Sequence, residues 1–100
     1  MDFGDPVGRG QAGMRPALVV SSDGLNDGPA GLSIVVPMTS TRRGIPSHIE
    51  IDEAGLDEVS YAKCEDVKAV SEERFVTRLG EVSPEVMFGV DQALRFLLEL

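Results

Sequence analysis

The chain has 100 residues, of which 42% are hydrophobic, and it carries a formal net charge of -8. A chain of this length forms one domain with a modest core, its single cysteine, Cys64, excludes an intrachain disulfide, and no apolar run approaches the roughly 18 residues of a membrane-spanning helix. The first residues lack the basic and apolar regions of a secretory signal, so the expected location is the cytoplasm.

Two apolar segments in the first half of the chain predict buried strands. Residues 1–14 are rich in glycine and predict a loop. Residues 16–22 are β-branched and apolar on both faces, which indicates a central strand. Residues 23–29 are dense in turn-forming types and would connect it to a second buried strand over residues 31–38. Pro37 should stop the ladder pairing of that strand or sit at a bulge, and a loop should follow from Thr39 to Pro46.

The middle of the chain predicts shorter strands. Residues 47–52 alternate polar and apolar side chains, the pattern of a half-buried strand in which His48 has a structural role. Residues 59–64 and 67–70 predict two further strands. Residues 71–75 predict one helical turn with a serine cap, and residues 76–82 predict a returning strand.

The end of the chain predicts an amphipathic helix over residues 84–98. Ser83 is the expected N-cap, Pro84 occupies the first helical position, and Glu85 favours the helix dipole. One face of the helix is apolar and should pack on the core or at a dimer surface; it comprises Val86, Met87, Val90, Ala93, Leu94, Leu97 and Leu98. Short strands followed by such a helix predict a small, curled antiparallel sheet with the helix packed on it.

Polar groups stand at the ends of the first two predicted strands. Arg15 enters one strand, while Thr39, Ser40 and Thr41 follow the other, so these groups would converge on one phosphate if the strands pair. Other interpretations remain open: Arg15 could form a surface ion pair with Asp5 or Glu50, and the three hydroxyl residues are also ordinary loop composition.

Four stretches of this chain, in order, resemble a known family. They are DPVG at residues 5–8 with QAG at 11–13 and RPA at 15–17; PMTST at 37–41; PSHIE at 46–50; and LGEVSPEVM at 79–87 leading into VDQAL at 90–94. In these stretches the chain resembles the MazF/PemK-type toxins of bacterial toxin-antitoxin pairs, and the resemblance covers nearly its whole length.

The resemblance implies a fold, an activity and partners. The fold would be the SH3-like curled sheet or barrel with a C-terminal helix of CcdB/PemK-type toxins, as one domain over residues 1–100. The activity would be sequence-selective cleavage of single-stranded RNA by attack of a ribose 2′-hydroxyl, without a metal or other cofactor. The chain would act as a homodimer, bind a cognate MazE-like antitoxin, and reach operator DNA only through that antitoxin.

The resemblance also implies roles for individual residues. Arg15 and Thr39 match the family's catalytic arginine and threonine. Arginine retains its charge because its pKa exceeds about 12, so charge stabilisation is its first role. The expected RNA-binding residues are Gln11, Ser40, Thr41, Arg42 and Arg43, although the two adjacent arginines are equally well read as a solvated pair. Residues 1–50 hold five acids against four arginines, so most of the acidic excess lies later in the chain.

Two departures from the family pattern leave alternatives open. Gly10 stands where the family commonly has a glutamate, and relatives open with a short strand that this chain is expected to lack. Either departure is compatible with a weak or inactive member that binds antitoxin without cutting RNA. A topoisomerase poison resembling CcdB is disfavoured, because that action uses a C-terminal tryptophan and this chain has none.

Overall fold

The computed structural model describes residues 15–53 and 55–100. Within them, five antiparallel strands form one sheet, and a C-terminal helix packs against it. The sheet runs in the order β1, β2, β4, β3, and β5 also pairs with β2. The elements are β1 (Ala17–Val19), α1 (Asp23–Asn26), β2 (Leu32–Thr39), β3 (His48–Ile51), β4 (Ser60–Lys63), β5 (Lys68–Ser71) and α2 (Pro84–Leu98).

Strand β2 is shared by two parts of the sheet. One edge pairs with β1, and the other pairs first with β5, as far as Val35, and then with β4 from Met38 onward. The Met38 N–H faces β1, where it donates to the Pro16 carbonyl at 3.2 Å. Because successive residues face opposite edges, the missing N–H of Pro37 falls in the gap between β5 and β4. Pro37 therefore interrupts pairing on one edge only, and the strand continues to Thr39.

The core lies between the sheet and α2. Apolar side chains of β2, β3, β4 and the turn after β4 pack against the helix. Burial of side chains of this size contributes about 1.5–3 kcal/mol each to folding. The buried cluster consists of Val36, Met38, Ile51, Ala62, Cys64 and Val90, with Val86, Ala93 and Leu94 partly buried beside it.

Helix α2 has the predicted bounds and the predicted cap. The Ser83 hydroxyl accepts a hydrogen bond from the Val86 N–H at 3.2 Å, Pro84 opens the helix, and Glu85 lies in its first turn. These local signals confirm the prediction made from the sequence. The packed face is shorter than predicted, because Leu98 is more than half exposed.

Several smaller elements also confirm the sequence predictions. Strands β3, β4 and β5 lie within or beside the three strands predicted for the middle of the chain. The predicted serine-capped turn is a 3-10 turn at Glu72–Arg74, in which the Ser71 hydroxyl accepts from the Glu73 N–H at 3.3 Å. The mainly antiparallel fold with a C-terminal helix is thus confirmed. The described strands form an open sheet, not a closed barrel, because β1 and β3 at its ends do not pair.

Two predictions about individual segments are wrong. The strand predicted over residues 16–22 is reduced to β1, which among the described residues pairs with β2 alone and exposes Val19, so it is not central. Residues 76–82 form no strand. The connection predicted over residues 23–29 does join β1 to β2, and it contains α1, one helical turn capped by Ser22.

The loop predicted for residues 1–14 and the expected absence of a first strand both concern a part of the chain outside the described residues. Within residues 15–53 and 55–100, no helix is long and apolar enough to cross a bilayer.

Candidate active site

The register of β1 and β2 brings Arg15 and Thr39 together. Ala17 pairs with Pro37 in an antiparallel ladder, and the Met38 N–H bonds to the Pro16 carbonyl one step further along. Extending this register by one more residue on each strand places Arg15 opposite Thr39. Residues directly opposite in such a ladder point their side chains to the same face. The pairing of β1 with β2 therefore places Arg15 and Thr39 on the same face of the sheet.

Arg15 and Thr39 line one cleft of about 430 Å³. Ser40 also lines it, and the segment between β3 and β4 contributes Asp57 and Glu58 to the lining. Both carboxylates are exposed. The cleft thus combines a cation, hydroxyl groups and carboxylates, which are the groups that a phosphodiester transfer uses for charge stabilisation and proton movement.

The Thr39 hydroxyl also shapes the start of the following loop. Its oxygen accepts a hydrogen bond from the Thr41 N–H at 3.2 Å, a turn that threonine side chains commonly form. A hydroxyl has one donor and two acceptor positions, and this turn uses one acceptor. The Thr39 O–H proton therefore remains able to bond a phosphate oxygen in the cleft.

A second cleft of about 350 Å³ adjoins the first and shares Arg15 with it. It is lined by Lys63 and Lys68, together with Asp66, whose carboxylate lies 3.2 Å from the Lys63 ammonium group. Nothing in the sequence places these lysines near Arg15, because Lys63 ends β4 and Lys68 begins β5, far from Arg15 in the chain. The pairing of β2 with both strands brings them there, and the result is a local positive patch on an acidic chain.

Arg42 and Arg43 are not part of either cleft. They lie in the loop of residues 40–47, named the arginine loop below, where residues 40–46 are all exposed. Of the five RNA-binding candidates, Ser40 lines the cleft, whereas Thr41, Arg42 and Arg43 lie beyond it along this loop. Gln11 lies outside the described residues. Within the described part of the chain, no carboxylate forms an ion pair with either arginine.

The far end of the arginine loop is held by Glu65. Its Oε1 accepts from the Ser47 hydroxyl at 2.7 Å, and its Oε2 lies 2.8 Å from Nε2 of His48. Only 3% of the His48 side chain is exposed, in agreement with a structural role for this residue. Desolvation raises the pKa of Glu65, but the hydrogen bonds from His48 and Ser47 outweigh it and leave that pKa below its usual range.

An apolar groove of about 610 Å³ borders the first cleft. It runs between β1, the segment of residues 75–82 and the first turns of α2, and it shares Leu56 and Leu79 with the cleft. Val19, Val76 and Leu79 are exposed along it. Among the described residues, no three His, Cys, Asp or Glu side chains are grouped closely enough to hold a metal ion.

Known proteins are similar to this chain in sequence and in fold. The chain is 34% identical over 99 residues to the endoribonuclease toxin MazF of Escherichia coli (strain K12), covering 98% of this chain and 86% of that protein. It is 28% identical over 102 residues to endoribonuclease EndoA of Bacillus subtilis (strain 168), covering 99% and 88%. The structure of a MazE-MazF complex from Deinococcus radiodurans matches with a TM-score of 0.76 and 27% identity, covering 89% of this chain and 86% of that one.

The family signature extends over almost the whole chain. Residues 1–98 match the family described as PemK-like, MazF-like toxin of type II toxin-antitoxin system. The chain therefore belongs to the PemK-like, MazF-like toxin family.

Proposed function

We propose that this protein is the toxin of a toxin-antitoxin pair and a sequence-selective endoribonuclease that cuts single-stranded RNA in the cytoplasm. The observation that carries the proposal is the placement of Arg15 opposite Thr39 in one cleft. Relatives named endoribonucleases, similar to this chain over nearly its full length, support the same activity. The single domain of residues 1–100 would act without a metal or another cofactor.

The cleft supports transfer at phosphorus by the neighbouring ribose 2′-hydroxyl. As that oxygen attacks, negative charge grows on the phosphate oxygens, and the guanidinium of Arg15 is suited to stabilise it with paired N–H donors. The Thr39 hydroxyl donates a further hydrogen bond to the same phosphate. Arg15 is a poor proton donor at neutral pH, so its role is charge stabilisation.

The group that accepts the proton of the 2′-hydroxyl is the part of this site that departs from the family pattern. Gly10 occupies the position where the family commonly has a glutamate. Asp57 and Glu58 line the same cleft. Either carboxylate is chemically able to take the 2′-hydroxyl proton, and their position supports an active enzyme in spite of Gly10.

Substrate binding would use the positive groups around the cleft. Lys63 and Lys68 suit the phosphates that flank the cut, because their cleft shares Arg15 with the reacting one. In the arginine loop, Arg42 and Arg43 suit contact with phosphates or stacking on unpaired bases. Gln11, Ser40 and Thr41 are proposed as further RNA contacts. The net charge of -8 implies that affinity depends on this local patch.

The proposed partners are a second copy of the chain and a MazE-like antitoxin. A solved MazE-MazF complex supports the antitoxin. A disordered tail with acidic and apolar residues would fit here, because the apolar groove borders a cleft that contains Arg15. Antitoxin and RNA would then compete, and only the antitoxin would bring the complex to operator DNA. Phe88 and Phe96, 65% and 81% exposed on α2, support a homodimer.

Cleavage of a long single-stranded RNA in EDTA tests the proposal. The wild-type protein should cut at one short recurring word, and Arg15→Ala and Thr39→Ala should each lose the cutting while remaining folded. Arg95→Ala is the matched control, because the exposed Arg95 side chain lies on α2 and forms an ion pair with Asp91 of the same helix, at 3.5 Å. A folded wild-type protein that binds antitoxin and leaves RNA intact would favour the inactive binder instead.

A further inference from the structure

We propose that Glu65 is a positioning residue that fixes the arginine loop and thereby determines how Arg42 and Arg43 meet the RNA. This inference rests on the proposed function, and it assigns Glu65 no contact with the reacting atoms. No sequence pattern indicates this role, because Glu65 is separated from His48 by 17 positions in the chain.

Glu65 joins the end of the arginine loop to the turn that follows β4. One carboxylate oxygen accepts from Ser47, the last residue of the loop, and the other contacts His48, the first residue of β3. A backbone hydrogen bond of 3.0 Å from the Cys64 N–H to the Ser47 carbonyl runs alongside. The loop end is therefore fixed to residues 64 and 65 by three hydrogen bonds.

The middle of the arginine loop depends on its two ends. At the start, the Thr41 N–H bonds to the Thr39 hydroxyl, and at the end the His48 N–H donates to the Ile45 carbonyl at 3.0 Å. Between these contacts lie Arg42, Arg43 and Gly44, all exposed. A loop segment without packing of its own takes its position from its anchors. Releasing Glu65 would thus displace the arginines while β2 continues to hold Thr39.

His48 explains why the carboxylate is needed at this place. Its Nε2 faces an acceptor, so Nε2 carries the ring proton. Its Nδ1 is buried and has no hydrogen-bond partner among the described residues. Because Glu65 provides the ring's hydrogen bond, removing the carboxylate leaves a buried polar ring without one, which is costly. The ring would then shift, and the adjacent end of the loop would shift with it.

A glutamine at position 65 would preserve the geometry without the charge. Its amide oxygen can accept from His48 Nε2, and its NH₂ group can donate to the Ser47 hydroxyl oxygen. A positioning role for Glu65 and a role in proton transfer therefore predict different effects of the Glu65→Gln substitution. If Glu65 positions the loop, Glu65→Gln retains the KM and the word preference, and Glu65→Ala changes both with little effect on kcat. If Glu65 takes a proton in the reaction, both variants lose kcat.

The decisive experiment compares the steady-state cleavage of one RNA by the wild-type protein and four variants. Glu65→Ala should raise KM about tenfold, the loss expected for one hydrogen bond to a charged group, with kcat within about twofold. It should also relax the choice of cleaved word. Glu65→Gln should restore both properties, and Glu73→Ala, at an exposed carboxylate distant from the loop, controls for lost charge. Ser47→Ala removes one contact and should raise KM less, so it keeps the test valid if Glu65→Ala is poorly folded.

Hydrogen exchange without RNA separates this inference from the proposed function. In Glu65→Ala the amides of His48 and Cys64, which donate to Ile45 and Ser47, should exchange faster, while the β1–β2 amides remain protected. Unchanged exchange, or an unchanged KM and word preference, would overturn the inference. So would an equal loss of kcat in Glu65→Gln and Glu65→Ala. If the wild-type protein cuts no RNA but these amides still exchange faster in Glu65→Ala than in the wild type, only the proposed endoribonuclease function is refuted.

Discussion

Gly55 provides a sharp test of how the cleft is built. It adopts a positive φ of 74° in the segment between β3 and β4, and a Cβ added there would lie 2.5 Å from the Leu79 carbonyl oxygen. Gly55 and Leu79 both line the cleft that contains Arg15 and Thr39. Glycine is required because a side chain would be strained in this backbone conformation and would collide with the facing backbone.

The expected cost of Gly55→Ala follows from these two effects. A left-handed conformation costs an alanine roughly 1–2 kcal/mol, and forced displacement of packed neighbours typically costs about 1–3 kcal/mol. The free energy of unfolding should therefore fall by roughly 2–5 kcal/mol, with a decrease in Tm on the order of 10 °C or more for a chain of this size. RNA cleavage should also fall, because one cleft wall is displaced.

Gly89→Ala is the matched control. Gly89 lies inside α2, and an added Cβ would lie 3.4 Å from the Ile49 Cγ2 atom, an ordinary contact. Replacing a helix-interior glycine by alanine gains about 1 kcal/mol, so this variant should be at least as stable as the wild type. Urea unfolding monitored by circular dichroism measures both variants. A Gly55→Ala protein as stable as the wild type would refute the close approach of Gly55 to Leu79.

Three further predictions follow from side-chain environments. Burial raises the pKa of the Cys64 thiol to about 11, with a smaller contribution from the Glu65 carboxylate. Cys64 should therefore resist a thiol reagent at pH 8 until urea unfolds the protein. Rapid labelling of the folded protein would contradict the burial of Cys64. The pKa of Glu65 is lowered in the folded protein, so its carboxylate contributes stability above the unfolded pKa of about 4.3, and this contribution is lost as the pH falls through the folded pKa. The difference in unfolding free energy between the wild type and Glu65→Gln should therefore shrink between pH 6 and pH 3. A constant difference in urea titrations over this range would count against the prediction. Phe96→Glu should convert a proposed dimer into a 10.7 kDa monomer in sedimentation equilibrium, and an unaltered mass would exclude the exposed Phe96 side chain from the dimer interface.

The sequence predicted α2 to within its observed bounds because the relevant signals are local. Ser83, Pro84 and Glu85 act within one turn, and the apolar spacing that follows identifies the packed face. Strands depend on partners, and the sequence does not show partners directly. Residues 76–82 include apolar side chains that are typical of a strand, yet they form no strand and instead border the apolar groove. Within this segment, Gly80 adopts a φ of 151°.

The candidate site was predictable in part for a similar reason. Arg15 and Thr39 lie at the ends of two neighbouring strands that pair in antiparallel register, so their meeting follows from one pairing. Asp57 and Lys63 reach the clefts only because β2 changes partners from β5 to β4 at Pro37. Their sequence context is an ordinary polar turn and a strand end, which gives no sign of a site.

The contact of Glu65 with His48 illustrates the limit most clearly. Alternation in the sequence placed His48 on a half-buried strand, and the structure buries its side chain almost completely. Nothing in the sequence shows which residue would form a hydrogen bond with the imidazole ring of His48, since that depends on the pairing of β3 with β4. The partner is a carboxylate in the turn after β4, and it is visible only in three dimensions.

We propose that the cleft of Arg15 and Thr39 promotes attack by the 2′-hydroxyl next to the scissile phosphate. Once the cleaved word is mapped, an RNA oligonucleotide with a single 2′-deoxy substitution at the nucleotide preceding the cut, incubated with the wild-type protein in EDTA, tests this attack. We expect this substrate to remain intact, while an oligonucleotide substituted one nucleotide further along is cut normally. Cutting at the substituted position would show that another nucleophile performs the reaction and that the proposed attack is wrong.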